Sequence, residues 1–130
     1  MKSYPTSPNL STPRGYSHVV SASGRMVFVA GQISLDKDGN LVGAGDLRAQ
    51  TTQVLQNVKA ALAAAGATFA DIVKQNTYVV GLSPDKLPII REVRSQFFPA
   101  ENPPASTLVG VTALAMEGLL IEVEVVAVVD

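Results

Sequence analysis

Apolar residues recur along this chain at two spacings, and the changes between them lay out seven elements. From Asp46 to Ala65 the residues Leu47, Thr51, Val54, Leu55, Val58, Leu62 and Ala65 follow one face of a helix, at about 3.6 residues per turn. Asp46 stands where a cap belongs, and Gly66 closes the end. A second helix is predicted from about Asp85 to Phe98, with Ile89, Ile90, Val93 and Phe97 as its buried stripe. Pro88 is tolerable in its first turn and Pro99 stops it. Strands are predicted at Tyr16–Ser21, Met26–Gly31, Ile72–Val80, Thr107–Val111 and Leu119–Val129. The first two would form a hairpin through Ser23-Gly24-Arg25. Residues 1–14, rich in Pro, Ser and Thr, read as an irregular start to a single domain spanning 1–130.

The C-terminal strand carries the most information. Alternation puts Glu122 and Glu124 on one face with Leu120, Val126 and Val128, while Ile121, Val123, Val125, Ala127 and Val129 make the other face wholly apolar. Carboxylates in so apolar a strand are unfavourable unless paired or used. Two helices, each about 10 Å wide, cover only one face of a sheet of about five strands spaced about 4.8 Å apart. A strand apolar on both faces then needs a second cover, and exposed apolar patches of that size are rare in monomers. The pattern predicts an oligomer.

Composition narrows the function classes. The chain has ten basic and eleven acidic residues, scattered, for a net charge of −1. Nothing forms the basic stripe that nucleic acid requires, so no nucleic-acid partner is expected. There is no cysteine, hence no disulfide framework and no thiolate metal site. With one histidine the chain offers no catalytic zinc set, and no cofactor is indicated. The first residues lack an apolar signal segment, and no run approaches the roughly eighteen apolar residues of a membrane span. A cytoplasmic protein without a membrane partner is the expectation. Two apparent motifs fail. Asp36-Lys37-Asp38-Gly39-Asn40 opens like a calcium loop, but its glycine comes too early and Leu47 stands where the closing glutamate belongs. Gly43-Ala44-Gly45 lacks the third glycine and the preceding strand of a dinucleotide site.

Several segments in register resemble the reactive-intermediate deaminase (RidA/YjgF) family: Gly15-Tyr16, Val29-Ala30-Gly31-Gln32-Ile33, the Gln50–Gly66 helix, Asp71-Ile72-Val73-Lys74, Phe97-Phe98, Pro104-Ala105 and Ile121-Glu122-Val123-Glu124. The resemblance runs from about Tyr16 to Val128. It implies an α+β, chorismate-mutase-like fold, a mixed sheet with two helices on one face. It also implies a homotrimer with small-molecule clefts at the subunit boundaries. At one position the chain departs from the family. An arginine that clamps the substrate carboxylate follows the Pro-Ala pair in family deaminases, and here that position is Ser106.

Each candidate residue has a structural and a functional reading. The resemblance makes Glu122 a catalytic carboxylate that orients water; the alternative is a pairing across an interface. Glu124 reads as structural. Tyr16 matches the family's cleft tyrosine, or is an aromatic packed on an edge; Gly31 and Gln32 match a pair near the cleft, or mark a bulge. Ser106 as a nucleophile would need His18 as its base, from the far end of the chain. More simply, it presents a small neutral hydroxyl where the family has a guanidinium. A 2-imino acid would then bind poorly unless Arg91, Arg94 or Arg25 substitutes; Arg91 and Arg94 otherwise read as a solvated helix face. Two functions follow: hydrolytic deamination of a small imine or enamine, or binding of a small metabolite, or scaffolding, without turnover.

Overall fold

Helix formation begins where Asp46 accepts a hydrogen bond from the Ala49 amide at 3.0 Å, which caps the first turn. The computed structural model describes all 130 residues. In chain order its elements are β1 (Lys2–Ser3), β2 (Ser21–Ala22), β3 (Arg25–Gln32), α1 (Leu47–Ala64), β4 (Ile72–Val80), α2 (Leu87–Arg94), β5 (Ala105–Val111) and β6 (Ile121–Val129). Gly66, at φ 72°, ends α1 in a left-handed turn whose amides bond back to Leu62 and Ala63.

The main sheet has four strands in the order β3-β6-β4-β5. β6 is central and antiparallel to both neighbours, and β5 runs parallel to β4 as a helical crossover allows. The sheet is therefore mixed, with both helices on one side, as expected. Beneath them Ile121, Val123, Val125 and Ala127 of β6 join Val27, Val29, Ile72 and Val79 in one core with Val54, Leu55, Val58 and Leu62 of α1 and Ile90 and Val93 of α2. Gln50 is the polar tie of this core. Fully buried, it donates to the Gly43 and Gly118 carbonyls and accepts from the Leu120 amide, anchoring α1 to the turn before β6. The other side of the sheet has no helix. There Phe28 is 72% exposed and Met26 57%.

Three expectations are corrected. Tyr16–Ser21 is not a strand and forms no hairpin with Met26–Gly31. It touches the sheet at one bridge, Ser17 to Ala105, where the Ser17 amide donates to the Pro104 carbonyl. Pro103 and Pro104, just before β5, have no N–H to donate, so pairing cannot extend backward from that bridge. Residues 1–14 are not wholly irregular, because Lys2–Ser3 pairs with Ser21–Ala22 as a small antiparallel ribbon. The second helix is shorter than Asp85–Phe98: a 3-10 turn, Pro84–Lys86, precedes α2, and the chain leaves the helix after Arg94. Phe97 and Phe98 turn inward instead, with ring centroids 5.5 and 4.9 Å from that of Phe69.

Candidate functional site

The two glutamates of β6 sit side by side on the uncovered face and have different surroundings. Register places Glu122 opposite Tyr78 and Glu124 opposite Asn76. Tyr78 donates its hydroxyl to Glu124 Oε1 at 2.5 Å, and Asn76 donates its amide to the same oxygen at 3.0 Å. These two bonds, Tyr78 first, hold the Glu124 carboxyl below the usual carboxylate range, and the same contact raises Tyr78 above the usual phenol range. Glu122 receives neither donor and enters no salt bridge.

Gly31 explains where the Glu122 carboxylate rests. The β3–β6 register shifts between Val29 and Gln32, and the backbone there comes close to the glutamate. A Cβ at Gly31 would stand 2.7 Å from Glu122 Cδ. Gln32 is turned to local use, its Nε2 donating to the Ala30 carbonyl at 3.1 Å. Glu122 and Gly31 thus form one corner of the molecule.

A second corner lies on the helix side, at the start of β5. Ser106 pairs in register with Gln75, a core position, whereas Glu122 pairs with Tyr78 on the uncovered face. Within one chain the two candidates are therefore on opposite faces of the sheet. Ser106 lines a cavity of about 190 Å³ with Tyr16, Arg14, Arg91 and Arg94. A cavity of about 380 Å³ adjoins it, sharing Arg14, Gly15, Arg91 and Arg94 and adding Phe98, Pro103 and Pro104. The Arg94 guanidinium lies over the Phe98 ring, 5.4 Å from its centroid. Its Nε is buried without a hydrogen-bond partner. Burial pushes Arg94 below its ordinary range, and Arg91 pushes the same way.

The structure thus brings Tyr16, Ser106, Arg91 and Arg94 together and sets Gly31, Gln32 and Glu122 apart from them. Arg25 belongs to neither group; it donates to the Ala65 carbonyl at 2.9 Å and caps the end of α1. His18 donates from Nε2 to the Ser11 carbonyl at 2.7 Å and stacks edge-on against Tyr16, so it is no base for Ser106. Sequence reasoning missed Arg14, whose irregular surroundings carry no period. It also missed Gln75, buried with both amide atoms unpartnered. The alternation Gln75, Thr77, Val79 was the signal that would have placed Gln75 inward. No three His, Asp or Glu residues gather closely enough to share a metal ion. No helix is long and apolar enough to cross a membrane.

Comparison with known proteins adds to this geometry. The family model described as Endoribonuclease L-PSP matches residues 6–129. A RutC family protein of Pyrococcus horikoshii is 36% identical over 128 residues, 98% of each chain. A Dermatophagoides farinae protein named 2-iminobutanoate/2-iminopropanoate deaminase is 32% identical over 115 residues, 88% of this chain and 86% of the other. The crystal structure of YyfB from Yersinia pestis, a Rid family protein of unknown function, superposes with a TM-score of 0.91 at 42% identity, covering 98% of each chain.

Proposed function

This chain belongs to the endoribonuclease L-PSP family, the Rid/YjgF proteins, and on that premise we propose that it is a cytoplasmic homotrimer that hydrolyses a small imine or enamine. The observation that carries this reading is the contrast between the two glutamates. Glu124 is held by Tyr78 and Asn76, while Glu122 keeps a carboxylate without a donor, against the backbone of Gly31. A carboxylate so placed can take a proton from water. The water oxygen bonds to the imine carbon, the nitrogen is protonated, and the C–N bond of the resulting carbinolamine breaks. Ammonia and a carbonyl compound leave, with no redox change and no cofactor.

Assembly supports the same reading. Phe28 and Met26 stand exposed on the helix-free face beside Val126, a surface suited to burial against another copy. A site that uses both Glu122 and the Ser106 corner requires two chains, because one chain holds them on opposite faces. The Dermatophagoides relative, at 32% identity, is named for the chemistry proposed here. An RNA substrate fits less well. The basic groups that gather are Arg14, Arg91 and Arg94, confined to one cleft rather than strung along a path for successive phosphates.

A second reading, metabolite binding without turnover, draws on Ser106 standing where the family resemblance implies a clamping arginine. One experiment separates the two. Imines are generated in situ from amino acids by an amino-acid oxidase, and their conversion to keto acids is followed with the parent and with Glu122→Gln. Hydrolysis accelerated by the parent and reduced about 10²–10⁴-fold in the variant supports catalysis by Glu122. Equal rates with parent, variant and no protein would leave the binding role.

A further inference from the structure

Arg14, Arg91 and Arg94 line one cleft, and no acidic residue lines it with them. The ion pairs of this protein are elsewhere: the N-terminus with Asp130, Lys2 with Asp71, and Arg48 with Glu92. Arg91 and Arg94 are three apart on α2, a spacing that puts like charges on one helix face and destabilises. The bland explanation is the end of α2, where its dipole favours cations in the last turn. That accounts for the exposed Arg91. It does not account for Arg94, whose Nε is buried with no acceptor in reach. Arg94 as a whole is half-buried over Phe98, but a guanidinium N–H buried without an acceptor leaves its own desolvation uncompensated.

Apolar groups complete the walls. Leu87, Ile90 and Leu108 border the smaller cavity, and Phe98, Pro103 and Pro104 the larger. The occupant this combination suits is an anion with a short hydrocarbon body. Guanidinium forks match the two oxygens of a carboxylate. We infer that Arg14, Arg91 and Arg94 form a binding cleft for the carboxylate of a small organic acid, supplying from α2 and the N-terminal segment the guanidinium that position 106 lacks. That this acid is the substrate rests on the hydrolytic reading above; that the cleft binds it does not.

The test is calorimetric titration of the full chain with 2-oxobutanoate, a stable keto acid, and with its uncharged amide. Parent protein should prefer the acid about 10- to 100-fold, as charge-assisted hydrogen bonds imply. Arg94→Gln and Arg91→Gln should each lose about tenfold or more of acid affinity while leaving that for the amide unchanged. Arg94→Lys should fall between parent and Arg94→Gln, keeping charge without the fork. Arg91 is exposed, so Arg91→Gln keeps the test decisive if Arg94 variants fail to fold. Equal affinity of the parent for acid and amide, or full acid affinity in a folded Arg91→Gln, would overturn the inference. So would inorganic phosphate displacing the keto acid at lower concentration than the acid itself binds. Binding without hydrolysis would refute the catalytic reading alone, and hydrolysis of 2-imino acids undiminished in both glutamine variants would refute the clamp alone.

Discussion

The carboxylate of Glu122 lies in the space that a side chain at Gly31 would need, with Cδ 2.7 Å from the position of a Cβ there. The neighbour that would have to move is the end of a flexible side chain, so Gly31→Ala should change stability by no more than about 1 kcal/mol. It should nevertheless push the Glu122 carboxylate off its seat. Imine hydrolysis in Gly31→Ala should drop toward the level of Glu122→Gln, with an unaltered circular dichroism spectrum. Full activity in a folded Gly31→Ala would show that the seat has no bearing on catalysis.

Glu124 should behave in the opposite way. Glu124→Gln removes the charge from the hydrogen bonds with Tyr78 and Asn76, and about 1–3 kcal/mol of stability should go with it. Hydrolysis by the folded fraction should persist. The pH dependence has a definite sign. The folded carboxyl is held below its ordinary range, so its contribution is present above the ordinary glutamate value, near about pH 4.3. It is lost as pH falls through the depressed folded value. Urea midpoints should therefore separate parent from variant at pH 6, begin to converge as pH falls below the ordinary glutamate value of about 4.3, and meet only below the depressed folded value. Asp36, Asp85 and Asp130 are also held low, but they are common to both proteins and cancel in the difference.

What the sequence could show followed from range. The capped helix from Asp46 and the strand Ile72–Val80 were legible because their signals are local: a period, a cap, a glycine. The parity of β6 separated the core residues Val123 and Val125 from Glu122 and Glu124 on the same grounds. Tyr16–Ser21 misled because it has strand-like residues but meets the sheet only at the single bridge from Ser17 to Ala105. The arginine cleft was half visible. Arg91 and Arg94 were candidates from their place before Ser106, while Arg14 is brought beside them by a turn at Gly15 that no spacing announces. The lack of acidic partners is a fact of three dimensions.

Neighbouring valines of β6 separate folding from assembly. Val125 is 2% exposed in the core, so Val125→Asp buries an unpaired carboxylate and should abolish folding. Val126 faces the other way, opposite the exposed Phe28. Val126→Asp should leave a folded chain of 13.6 kDa, and the parent should scatter light as about three times that mass. A parent that stays monomeric at micromolar concentration, or a Val126→Asp variant that remains trimeric, would remove the helix-free face from the interface.

Ser106 and Arg94 line the same small cavity of about 190 Å³, so a guanidinium should be movable from one to the other. In the parent, Ser106→Arg adds a fourth cation to a crowded, like-charged cleft and should raise 2-oxobutanoate affinity by less than about threefold. In Arg94→Gln the volume and the charge have been vacated together. Ser106→Arg placed there should recover most of the affinity lost, a coupling that a double-mutant cycle reads directly. The recovered binding should weaken with added salt, as the parent's should, because both would rest on charge. Four calorimetric titrations complete the cycle. Additive effects in four folded proteins would mean that positions 94 and 106 do not address the same ligand group, and that Ser106 only fills its place on the helix side of β5.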